Sequence, residues 1–146
     1  MKKILIVTIF LFTGFSFSVE FKPLSEYLKS ADMEDYFTLE YISKRCSALN
    51  LTLSTQWFPE GSDIAKITQD SYEFYSSLAI DMHMLKNPNK DETSVTLDII
   101  QNILGMVEPL STVIQDNQDK TGSIFEGSWV QEDLVICTQF QTELQK

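Results

Sequence analysis

The chain has 146 residues, with 11 Lys plus Arg against 21 Asp plus Glu, a formal charge of −10 and an isoelectric point near 4.4. With 43% hydrophobic and 12% aromatic residues but only 5 Gly and 4 Pro, it has material for one packed domain and is not a disordered solvating tail. Beyond Lys2-Lys3 the one adjacent basic pair is Lys44-Arg45, which excludes nucleic acid and anionic membrane surfaces as partners, because both draw affinity from clustered Lys and Arg.

The chain starts as an export signal. Lys2 and Lys3 precede an apolar run from Ile4 to Phe15, and Ser16-Phe17-Ser18 supplies small residues at −3 and −1 for cleavage after Ser18. The run is too short to span a hydrocarbon core, so residues 1–18 are read as a cleaved signal peptide and 19–146 as a single soluble domain, periplasmic or secreted, with no membrane span after cleavage. Cleavage removes two lysines and no acid, taking the formal charge from −10 to −12.

Pro23 permits one helical turn near Leu24–Lys29. From Met33 to Trp57 the residues Tyr36, Leu39, Ile42, Cys46, Leu49, Leu53 and Trp57 recur at helical spacing, with Asp32 as the expected N-cap and Pro59 and Gly61 as the stop. Ser62 or Asp63 caps a second helix whose stripe is Ile64, Ile67, Phe74, Leu78, Met82 and Leu85, ended by Asn87-Pro88-Asn89. A third helix, starting near Thr93 or Thr96, carries two overlapping stripes, and so wide an apolar arc predicts a central helix. Pro109 inside it predicts a kink or a break, and 116–122 reads as a polar loop. Ser128-x-x-Gln131 fits a capping box opening a last helix to about Leu144. No alternating strand pattern or internal repeat appears, so the expected fold is all-α: a small antiparallel helical bundle of about four helices.

Cys46 and Cys137, the only cysteines, lie 91 positions apart, and in an exported chain an even count predicts a disulfide. Such a bridge requires the first long helix and the last to lie side by side.

Signals for chemistry are few. Trp57, Phe58 and Glu60 form an aromatic and acidic segment able to contact a partner or, with the single His83, to line a small hydrolase site. Asn117, Asp119, Thr121 and Gly122 resemble in part an EF-hand calcium loop, but Ser128 stands where the bidentate Glu belongs and Asn117 where Asp does, with Glu126 and Asp133 as the substitutes in reach. A polar turn between helices is the plainer account of the same residues. One His and two oxidised Cys cannot supply a transition-metal site, Asn50-Leu51-Thr52 matches a glycosylation acceptor only in mid-helix, and no phosphate cradle or nucleophile elbow is present. The resulting expectation is a non-enzymatic exported binding module without cofactor, steered by its acidity toward a cationic protein or small ligand.

Overall fold

The computed structural model describes residues 21–146, so the leader and the cleavage point after Ser18 lie outside the described residues. The described chain is all-α: α1 (Leu24–Leu28), α2 (Tyr36–Thr52), α3 (Asp63–Lys86), α4 (Glu92–Thr121) and α5 (Trp129–Leu144), with α2 running on into a π-helical turn, Leu53–Trp57. Five helices stand where about four are expected, the fifth being the single turn after Pro23.

Local chemistry sets the helix starts. Asp35, Ser62, Asp91 and Ser128 accept hydrogen bonds from the backbone N–H groups of Thr38, Ala65, Ser94 and Val130. The first of these departs from expectation: the Asp32 carboxylate instead accepts from Glu34 N at 2.9 Å, so the chain makes one more turn before α2 begins. Ser128 acts without a capping box, because its own N–H donates to the Phe125 carbonyl at 2.9 Å.

α4 is not broken at Pro109; it continues to Thr121 and ends where Gly122 takes φ +77°. Pro109 has no N–H to give to the Gly105 carbonyl, and Gly105 is exposed and carries no side chain, so the helix passes the proline without a break. The expected loop at 116–122 is therefore helix up to Thr121.

The central helix is α2 rather than α4. α2 packs against α3, α4 and α5 and is buried almost all round from Ile42 to Leu53. Sequence periodicity hides this because the buried ring includes Ser43, Ser47, Asn50 and Thr52. Ser43 Oγ donates to the Leu39 carbonyl at 2.7 Å, Asn50 Nδ2 to Cys46 O at 2.9 Å and Thr52 Oγ1 to Ala48 O at 2.8 Å. These bonds satisfy each polar group on its own helix and leave small, self-contained surfaces for neighbours.

α3 runs antiparallel to α2 and presents small residues to it. Ser47 and Ser76 hydroxyls meet at 2.7 Å, and Ala65, Thr68 and Ala79 are buried on the same side. α3 is thus turned away from its expected stripe: Ile64, Ile67 and Leu85 are 47%, 63% and 58% exposed. α4 uses one side only, burying Val95, Ile99, Ile103, Leu110 and Ile114 and leaving Leu97 and Leu104 outside. By length and composition it is the one helix among the described residues long and apolar enough to cross a membrane. α1 lies on α5, and the two close over the start of α2 through a second apolar cluster of Leu24, Ile42, Cys46, Tyr75 and Cys137.

Candidate functional site

The disulfide expected from cysteine arithmetic is present: Cys46 and Cys137 are bonded at 2.02 Å with Cα atoms 5.6 Å apart. It ties α2 to α5 beside Tyr75, whose hydroxyl donates to the Cys137 carbonyl and whose phenol is pushed well above its ordinary range by burial.

One residue before Cys46 and one helical turn before Cys137 lies a fully buried ion pair. Arg45 Nη2 and Nε donate to Asp133 Oδ2 at 2.8 and 3.1 Å, while Asp133 Oδ1 accepts the Leu24 N–H at 2.7 Å and Nη2 also reaches the Lys22 carbonyl at 3.1 Å. The guanidinium sits 3.6 Å from the Phe21 ring centroid and 4.8 Å from that of Trp129. Burial pushes the Asp133 carboxyl up and the Arg45 guanidinium down, and each opposes the shift of the other; three short bonds to the carboxylate describe an ionised pair. This group locks the entry to α1 onto α2 and α5 and is structural. A sequence signal for it exists: a 46–137 bridge brings an Arg and an Asp one turn or less from each cysteine into register.

The second ionic group lies where α2 begins and α3 ends. The Glu40 carboxylate accepts from Lys44 Nζ at 2.9 Å, from His83 Nδ1 at 3.2 Å and from Lys86 Nζ. Lys90 Nζ meets His83 Nε2 at 3.1 Å, and Lys86 Nζ lies 3.5 Å from the Phe37 ring centroid. Burial alone would raise the Glu40 carboxyl; Lys86, Lys44 and His83 overcome it and hold it at about 2. His83 is therefore part of an ion cluster.

The other residues singled out by sequence are dispersed. Trp57 and Phe58 pack against the main core, Phe58 facing Phe125 at 6.5 Å, and Glu60 is exposed. His83 stands near the far end of α3, about 30 Å of helical rise from Asp63, so Trp57, Glu60 and His83 share no cleft. Asn117, Asp119 and Thr121 lie in the last turns of α4, where alternate residues diverge instead of converging on an ion. Asn117 Nδ2 donates to the carbonyls of Ser123 and Glu126, tying down the turn to α5, and no metal-holding group of three His, Cys, Asp or Glu forms among the described residues. Asn50 is 3% exposed, which closes the glycosylation reading.

What remains outward-facing on α3 is a surface that sequence periodicity assigns to the core. At 3.6 residues per turn Asp63, Asp70 and Asp81 fall on one line along the helix, with Glu73 beside it. None of the four makes an ion pair among the described residues. Alongside runs an apolar ridge on which Ile67 and Leu85 are exposed, while Phe74 and Leu78 between them are half-buried against the second cluster. A shallow cleft of about 520 Å³ lies between them, lined by Asp70, Glu73, Phe74, Ser77, Leu78 and Asp81.

No protein-family model matches this chain, and no curated protein or solved structure matches it.

Proposed function

We propose that the chain is an exported, disulfide-stabilised, non-enzymatic binding module that takes a cationic amphipathic segment of a partner protein along the outer face of α3. The observation that carries this reading is the pairing on one helix of unpaired carboxylates with exposed apolar side chains. Carboxylates without counter-ions attract Lys and Arg, and the adjacent ridge offers apolar area that water leaves on docking. The ridge from Ile67 to Leu85 is about 27 Å long, the length of five helical turns. Disulfides persist in oxidising compartments, so the Cys46–Cys137 bridge and the leader both support export.

The test is titration with an amphipathic Lys/Leu helical peptide, followed by fluorescence anisotropy at low and then moderate salt. Binding should weaken as salt rises and be lost in the triple variant Asp70→Lys, Glu73→Lys, Asp81→Lys. A charge-matched triple variant on α4, Asp98→Lys, Asp116→Lys and Asp119→Lys, should retain it. Equal loss in both variants would mean that net charge alone attracts the peptide, and the assignment to α3 would fall.

A further inference from the structure

A groove of about 1250 Å³ runs between α1 and α4, away from the acidic face of α3. Its near wall is aromatic: Phe21, Tyr27 and Tyr41, the two tyrosine rings packed at 4.4 Å between centroids. The far wall is α4, where Met106, Pro109 and Val113 supply apolar surface around Gly105. Lys22 and Glu26 at the rim pair at 3.0 Å, and Glu108 makes no ion pair among the described residues, so the lining gives an anion no net attraction.

Two features of α4 give this wall a polar point. Pro109 has no N–H, so the Gly105 carbonyl has no donor in the helical ladder. Gly105 has no side chain, and a Cβ built there would meet no atom within 4 Å, so the backbone is open to the groove. An interior helix Gly and an interior helix Pro, four residues apart and lining the same groove, both cost helix stability. Together they leave one backbone carbonyl without its helical donor, on the wall of a groove whose other wall is aromatic.

We infer that this groove is a small-molecule site for a planar, uncharged or monocationic apolar ligand bearing one N–H or O–H donor. The rings of Phe21, Tyr27 and Tyr41 provide its stacking surface and the Gly105 carbonyl accepts its donor. This site is separate from the α3 face, so either can fail without the other.

The test uses two fluorescent probes that brighten in apolar surroundings: N-phenyl-1-naphthylamine, whose flat naphthyl ring bears one N–H, and diphenylhexatriene, apolar with no donor. The wild-type protein should bind the first more tightly. Pro109→Ala restores the N–H that occupies the Gly105 carbonyl; it should weaken the naphthylamine by roughly 2–12-fold, the worth of one hydrogen bond, leave diphenylhexatriene unchanged and raise the melting temperature. Gly105→Leu, which fills the open space, should abolish both. Failure of the naphthylamine to bind, equal effects of Pro109→Ala on both probes, or binding that survives Gly105→Leu would each overturn the inference. So would a dimer that Gly105→Leu dissolves, because the groove would then be an interface between copies.

Discussion

Replacing Glu40 by Gln keeps the shape of the side chain and removes the one negative charge shared by Lys44, His83 and Lys86. The Glu40 side chain is 8% exposed and its carboxyl is held at about 2 against an ordinary 4.5. Because the folded state binds this proton more weakly than the unfolded chain, the contribution to stability is complete above about pH 4.5 and is lost as pH falls toward 2. At 1.36 kcal/mol per unit the shift corresponds to at most about 3 kcal/mol, trimmed to on the order of 2–3 kcal/mol by water reaching the lysines at the rim. Glu40→Gln should therefore cost about 2–3 kcal/mol near neutral pH, where both lysines lose their counter-ion, and almost nothing near pH 2, where wild-type Glu40 is itself protonated. Urea unfolding followed by circular dichroism at a series of pH values measures the difference, and the remaining carboxylates cancel between the two proteins. A wild-type-minus-variant difference that stays constant from pH 7 to pH 2 would refute the reasoning.

Replacing Cys46 and Cys137 together by Ala should lower stability by about 4–5 kcal/mol, since the bridge closes a 91-residue separation; the check is the melting temperature against the oxidised protein. Arg45→Met strands the buried Asp133 carboxylate and should cost about 3–5 kcal/mol, whereas Arg45→Met with Asp133→Leu should recover much of that loss in denaturant midpoint. Gly122→Ala places a Cβ at φ +77° at the end of α4 and should cost about 1 kcal/mol by thermal melting, although the space there is open.

Much of the helix pattern is legible in the sequence because it rests on short-range chemistry. Ser62 and Ser128 cap where a side-chain oxygen meets free N–H groups, and the cysteine pair follows from number and compartment; Asp91 caps α4 ahead of the expected start at Thr93 or Thr96. What the sequence does not display is which side of each helix faces inward. Periodicity counts Ser43, Ser47 and Ser76 as solvent-facing, yet hydroxyls bonded to their own or a neighbouring helix's carbonyls let α2 and α3 approach closely and displace Ile64 and Ile67 outward. That displacement creates the face assigned to binding, so the candidate surface is hidden for the same reason that the central place of α2 is hidden. The groove is concealed differently: Pro109 reads as an interruption, while its partner in the site, α1, is a five-residue helix whose placement depends on the Arg45–Asp133 lock.

α2, α3 and α4 pack together and follow one another along the chain, whereas Leu24 reaches Asp133 across 109 residues and Arg45 reaches it across 88. Loop-closure entropy makes near contacts easy to form and distant ones slow, so the three middle helices are expected to assemble first and the clasp of α1 on α5 last. The thiol of Cys137 arrives with α5 and meets Cys46 only at that last stage, which makes oxidation a seal set on a nearly finished fold. Under reducing conditions the chain would then stall with its middle helices assembled and its two ends loose, a species that hydrogen exchange would display as protection in α2 without protection in α5.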